Sequence, residues 1–209
     1  MKLTSETVIF ITGGASGLGL SAVQYFHALG CKVAVADINA GAFEDLLKQL
    51  KTNILCVKCD VTIEADVQRA VEETVKQFGT IHIALACAGI VETSPTWSPE
   101  GLLNTESFRK VINTNLFGYV YVAKYVTPYM VKNKPMGDKH ERGVLIFISS
   151  ITAEEGQAGY LAYSATKGGI NGMMMPMARD LGRYGIRAVA IAPGFFLTPL
   201  AEKVLTDQQ

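Results

Sequence analysis

The chain has 209 residues, 49% of them apolar and 18% charged, enough to bury one sizeable core, so a single domain is expected. Lys and Arg number 19 and Asp and Glu 19, so no net field draws the whole protein onto nucleic acid or an anionic membrane, and a small-molecule partner is expected instead. No apolar run approaches the roughly eighteen residues that span a bilayer, and Met1 to Thr7 holds neither a signal peptide nor an Arg-rich presequence, which reads as a mature intracellular chain.

In chain order, short apolar runs alternate with longer stretches of helical period, the pattern of a doubly wound parallel α/β sheet. The strands are read at Thr7 to Ile11, Lys32 to Ala36, Ile54 to Lys58, Ile81 to Ala86, Gly143 to Ile148 and Arg187 to Ala192. Each is apolar nearly throughout, as expected for strands covered on both faces. Helices are read at Leu18 to Leu29 with a stop at Gly30, Phe43 to Leu50 after an Asn-Ala-Gly turn, and Ile63 to Phe78 with a stop at Gly79. Thr105 to Val131 is long enough for one extended helix, and Ala162 to Tyr184 forms another, interrupted at Pro176. Glu92 to Thr105 and Lys132 to Arg142 read as surface loops.

Cys31, Cys56, Cys59 and Cys87 are scattered among apolar segments and read as buried thiols rather than a disulfide framework. Cys56 and Cys59 form a C-x-x-C in an apparent strand, where an odd separation points them to opposite faces. His27, His82 and His140 share no ligand spacing, so no metal site is expected. The methionines 173, 174, 175 and 177 beside Pro176 suit either a subunit contact or core filling.

Three constellations carry chemistry. Thr12-Gly13-Gly14-Ala15-Ser16-Gly17-Leu18-Gly19 lies directly between a buried strand and an amphipathic helix. Glycines there let a pyrophosphate approach the backbone, and the helix N-terminus favours negative charge; a purely structural turn is the alternative. Asp37 ends the second strand roughly 20 residues beyond the turn, where a carboxylate accepts hydrogen bonds from ribose hydroxyls and repels a 2′-phosphate. Ser16 supplies no compensating cation, so NAD is expected over NADP. A helix-capping role for Asp37 is the other reading, with Asn39 able to cap instead. Asp60 suits either a cap or the adenine edge. Finally, Tyr163 and Lys167 share a helix face at i and i+4, where the ammonium, joined by the positive nicotinamide of NAD, is expected to lower the phenol from its usual value of about 10. Ser150, ending a strand, could hold a reacting carbonyl or alcohol oxygen.

Taken together, Thr12 to Gly19, Asp60-Val61, Ala88-Gly89, Asn115, Ser150, Tyr163-x-x-x-Lys167 and Pro193-Gly194 with Thr198 resemble the short-chain dehydrogenase/reductase family from Val8 to the end of the chain. The resemblance implies a Rossmann-type fold. It implies that Ser150 orients the substrate oxygen, Tyr163 is the general acid/base, Lys167 holds the nicotinamide ribose and tunes Tyr163, Asn115 supports a water relay and Thr198 reaches the nicotinamide amide. It also places Gly13, Ser16, Gly17, Leu18, Gly19, Asp37, Asp60, Val61, Cys87, Ala88, Gly89, Pro193 and Gly194 along the cofactor, and Gln157 at the substrate. A nearer likeness is to the type-2 3-hydroxyacyl-CoA dehydrogenases, carried by Ile11 to Leu20, Cys87 to Ile90, Glu155 to Gln157, Tyr163 to Ile170 and Ala178 to Leu181. It implies oxidation of a 3-hydroxyacyl-CoA by NAD, a homo-oligomer and a mitochondrial setting, with a cytoplasmic one as the alternative.

Two departures from the family pattern stand out. Ala86 replaces its usual Asn, loosening a structural hydrogen bond near the cofactor. The family also continues past the position of Gln209 through a substrate-covering segment, another helix and a seventh strand, so a sheet without that strand and a pocket left open beyond Leu200 to Leu205 are expected. Other alcohol or steroid dehydrogenases share the same catalytic residues, and a non-catalytic NAD-binding scaffold, as in some relatives within a mitochondrial tRNA-processing complex, is the contrasting class.

Overall fold

A computed structural model describes residues 1–137 and 140–199. Six parallel strands form the sheet: β1 (Val8–Thr12), β2 (Lys32–Asp37), β3 (Ile54–Lys58), β4 (Ile83–Ala86), β7 (Gly143–Ile148) and β8 (Ile186–Ile191), in the order β3-β2-β1-β4-β7-β8. The two further strands, β5 (Trp97–Ser98) and β6 (Gly101–Leu102), make a small antiparallel hairpin inside the segment read as a loop. Ile9 sits in register between Val33 and Ile83, so β1 is the centre from which the chain winds outward in both directions. The order reverses between β1 and β4, which opens a crevice at the carboxyl ends of those strands.

The helices are α1 (Gly17–Ala28), α2 (Phe43–Leu50), α3 (Glu64–Phe78), α4 (Thr105–Ile112), α5 (Gly118–Met130) and α6 (Leu161–Gly182). One face of the sheet packs Phe10, Ala34, Ala84 and Phe147 against α3, α5 and α6 through Val67, Val122 and Ile170. The opposite face packs Ile9, Ile11, Val33, Val35 and Leu85 with Val23 of α1 and Leu46 of α2. Side chains at successive positions of β1 thus enter different cores, as a strand buried on both faces requires. The helix stops fall where glycine permits them: Gly79 adopts φ 89° and its N–H closes onto the Val75 carbonyl at 2.7 Å.

Three expectations need correction. Pro176 does not interrupt α6, which runs unbroken through it. Proline removes a single intrahelical donor, and Ile170, Met173, Met174 and Met177 on either side pack into one core, so tertiary packing carries the helix past the defect. Core filling therefore describes three of the four methionines, while Met175 is exposed. The stretch read as one long helix instead contains a π-helical turn at Asn113–Phe117 between α4 and α5. β8 is not covered on both faces: Val189 and Ile191 are exposed on an edge strand, because among the described residues no helix lies over that side. Leu200 to Leu205 lie outside the described residues.

Cys56 packs into the α1/α2 core and Cys59 into the α3 core, on opposite faces as their spacing requires. His82, at the other end of the sheet from the crevice, is also structural: its Nδ1 accepts the Val8 N–H at 3.0 Å. Burial, reinforced by Lys32 and opposed by Glu6, holds its pKa below the ordinary 6.5. The folded state therefore resists a proton that the unfolded chain accepts, so this contribution is complete above about pH 6.5 and falls away as pH drops toward the lower folded value. Thermal unfolding of the parent and of His82→Gln at about pH 7.5 and about pH 5.5 should show a smaller acid-side loss in the variant. Equal losses in the two would assign the acid sensitivity to other groups.

Candidate functional site

The crevice is a cleft of about 740 Å³ that runs from Asp37 and Asp60 at one end to Ser150, Gln157 and Tyr163 at the other, a size that suits a dinucleotide and a small substrate. Gly13, Ser16, Gly17, Leu18, Gly19, Val61, Cys87, Ala88, Gly89, Lys167, Pro193, Gly194 and Thr198 line it between these ends. Among the residues given a catalytic, cofactor or substrate role from sequence, Asn115 alone does not reach the wall.

The glycine turn is shaped by close approach. A Cβ on Gly13, whose φ is +68°, would lie 2.7 Å from the backbone N and Cα of Ala88; one on Gly19 would lie 2.1 Å from the Gly13 carbonyl oxygen. These contacts press the first turn of α1 against the end of β4, and only glycine fits there. Ser16, at the N-cap of α1, makes no side-chain capping bond, and the first turn holds no acidic residue. The helix therefore presents uncapped N–H groups and its positive end to the cleft, which fits a diphosphate.

Asp37 is held at both carboxylate oxygens: Oδ2 accepts the Ala15 N–H and Oδ1 the Asn39 N–H, each at 2.9 Å. It thereby ties the glycine turn to the end of β2, and a carboxylate keeps acceptor capacity beyond two bonds. Asn39 caps the short 3-10 turn Ala40–Ala42 without a side-chain bond, and α2 starts at Phe43 with none either. Asp60 Oδ1 accepts both the N–H and the hydroxyl of Thr62, at 2.9 and 2.7 Å, a local turn ahead of α3 rather than a cap on it.

At the far end, Ser150 lies just past β7 and its Oγ accepts the Thr152 N–H at 3.1 Å. Burial holds the Tyr163 phenol above the ordinary 10, with the neighbouring Ser150 hydroxyl working the other way. Lys167 is not among the groups that shift it. The ammonium lies over the ring, 5.2 Å from its centroid, and it donates to the Ile148 carbonyl at 2.6 Å. Burial pushes Lys167 itself down to about 8, with Cys87 opposing. Ser149, buried, donates from Oγ to the Lys167 carbonyl at 3.1 Å and so locks α6 onto the end of β7.

Asn115 sits in the π-helical turn, fully buried. Its Oδ1 accepts the Ile90 N–H and its Nδ2 donates to the Ile90 carbonyl, both at 2.8 Å. The side chain thus pins the Ala88-to-Val91 wall of the cleft. Thr62 and Tyr160, also on the wall, were not singled out from sequence. Thr62 directly follows the flagged Asp60-Val61, a usable signal; Tyr160 carries none. Thr152 Oγ1, buried beside Ser150, has no hydrogen-bond partner among the described residues. Among those residues no three His, Cys, Asp or Glu side chains gather as a metal site would require, and no helix is long and apolar enough to cross a membrane.

A model of the short chain dehydrogenase family matches residues 7–209. The human 3-hydroxyacyl-CoA dehydrogenase type-2 is 43% identical over 195 residues, 92% of this chain and 74% of that protein. A crystal structure of 3-hydroxyacyl-CoA dehydrogenase type-2 from Mycobacterium avium superposes with a TM-score of 0.89 at 33% identity, covering 100% of this chain and 82% of that one. The 3-ketoacyl-(acyl-carrier-protein) reductase from Brucella melitensis, solved with NADH, reaches a TM-score of 0.84 at 29% identity over 94% of this chain and 78% of the other.

Replacing Asn115 by Ala would strand the N–H and carbonyl of Ile90. A loss of roughly 1–3 kcal/mol in folding stability is expected in urea denaturation. A change within experimental error would show that the Ile90 backbone finds other partners.

Proposed function

The chain belongs to the short-chain dehydrogenase family, and on that premise we propose that this oxidoreductase interconverts a secondary alcohol and a ketone with NAD, its substrate a 3-hydroxyacyl-CoA. The observation that carries the reading is the convergence of Ser150, Tyr163 and Lys167 with the glycine turn in one cleft. Likeness to the human enzyme supports the substrate, and the NADH-bound relative supports a nicotinamide cofactor.

Bound NAD would supply the hydride acceptor. The uncapped start of α1 at Ser16, Gly17, Leu18 and Gly19, with Gly13, would hold its diphosphate. Asp37 would accept from the adenosine ribose and Asp60 and Val61 would flank the adenine. Cys87, Ala88, Gly89, Pro193, Gly194 and Thr198 would line the nicotinamide half. In the reducing direction Tyr163 Oη gives its proton to the ketone oxygen while the carbonyl carbon takes the hydride; in oxidation it takes the proton back. Ser150, beside Tyr163, holds the substrate oxygen, and Gln157 walls the substrate end. Lys167 contributes a fixed positive charge that favours the phenolate left behind. Asn115 acts at one remove through Ile90. A homo-oligomer in the mitochondrion is part of the same proposal, carried by the family resemblance.

Acetoacetyl-CoA reduction by NADH is the direct test. Tyr163→Phe should lower kcat by roughly 10²-fold or more, the usual worth of a positioned acid, while an NADH fluorescence titration stays within about twofold of the parent. A parent chain that binds NADH and turns over no ketone would overturn the enzymatic reading in favour of a cofactor-binding scaffold.

Cofactor choice is tested separately. NADH should bind more tightly than NADPH, and Asp37→Ala should narrow the gap by removing both ribose acceptors and the charge that opposes a 2′-phosphate. Equal affinity for the two in the parent would sink the assignment to Asp37.

A further inference from the structure

Lys167 is a buried cation, only 3% exposed, and no carboxylate is among the groups that shift it. What faces it is instead the Ile148 carbonyl and two aromatic rings. Tyr163 of α6 is one. The other is Tyr119 of α5, whose ring centroid lies 5.5 Å from the ammonium. Cys87 approaches from the end of β4, Ser149 and Ser150 from the end of β7, and Tyr160 stands behind Tyr163 at 6.3 Å between centroids.

Tyr119 is 1% exposed and is the largest fully buried side chain among the described residues. Its hydroxyl donates at 3.3 Å to the Ile148 carbonyl, the same oxygen that accepts from Lys167. Its ring packs on Phe147 at 5.4 Å, which fixes its plane against β7. Gly118, immediately before it, allows this fit: a Cβ there would lie 3.0 Å from the Val61 side chain, so α5 sits close to the loop after β3. A tyrosine needed for volume alone would have no reason to turn its ring toward the one buried ammonium of the cleft.

We propose that Tyr119 is a positioning residue of the proton-transfer site, its ring face and the shared Ile148 carbonyl keeping the Lys167 ammonium charged and fixed beside Tyr163. Desolvation works against the ammonium; the negative faces of the rings offset part of that cost, and the attraction is strongest where water is excluded. The inference deepens the proposed function, because Lys167 serves the phenol only while it carries its proton.

The test reads Lys167 directly. Lysine isotope-labelled at Cε is followed by NMR against pH in the 209-residue chain, with Lys167 assigned by Lys167→Arg. Tyr119→Leu should lower the Lys167 midpoint by roughly one pH unit, the size of a desolvated cation–π contact. Tyr119→Phe, which keeps the ring, should stay within a few tenths of a unit. Should the leucine variant fold poorly, the near-isosteric comparison decides: trifluorinated phenylalanine at position 119, with its ring face stripped of negative potential, should lower the midpoint relative to Tyr119→Phe. An unmoved midpoint in that comparison, or equal shifts for Phe and Leu, would overturn the proposal. Ketone reduction by NADH in the same variants should fall on the alkaline side at the pH where Lys167 deprotonates. If the parent turned over no ketone while the midpoints still moved as stated, the proposed function would fall and the hold of Tyr119 on Lys167 would stand.

Discussion

The Ser150 and Tyr163 end of the cleft is built around one ammonium group kept out of water. A buried lysine with no carboxylate partner among the described residues is costly, and Lys167 responds in the expected direction, its pKa pushed down to about 8. The surrounding structure limits that response. The end of β7 turns the Ile148 carbonyl onto Nζ, Ser149 ties the Lys167 carbonyl to the same strand, and Tyr119 and Tyr163 present their rings. Moving α6 by one residue would break all of these at once, so the register of α6 on the sheet is set by the same contacts that define the chemistry.

The opposite end of the cleft rests on close backbone approach rather than on charge. Gly13 meets the backbone of Ala88 and Gly19 meets the carbonyl of Gly13 with no space for a side chain. Those contacts bring the N-terminus of α1 to the switch point between β1 and β4, where a parallel sheet leaves an opening in any case. Asp37 then binds the turn to β2 through Ala15, so the residue proposed to meet the ribose also holds the turn proposed to meet the diphosphate. Asn115 performs the same service for the far wall through Ile90. In each case the polar side chain shapes backbone first, and the cleft is the consequence.

Much of this was legible beforehand. The alternation of apolar runs with helical stretches encodes the doubly wound sheet because period and length are local properties of the chain. The glycine turn, Asp37, Ser150 and the Tyr163/Lys167 spacing were legible for the same reason. Pro176 misled, because a local rule about proline was overridden by core packing around Met173, Met174 and Met177. Residues of the Glu92 to Thr105 segment that pair as β5 and β6 had no alternating pattern to announce them.

Sequence by itself determined the fold class, the family and the positions of the residues that gather in the cleft. Only the tertiary structure decided what those residues touch. It turned Lys167 onto a ring face and a carbonyl, raised the Tyr163 phenol by burial, committed the Asn115 side chain to Ile90, and placed Tyr119 against the buried cation. The reason is physical: spacing along a helix states which side chains share a face, whereas desolvation and hydrogen-bond partners are set by segments such as β7, α5 and the loop after β4, which reach the site only when the sheet closes.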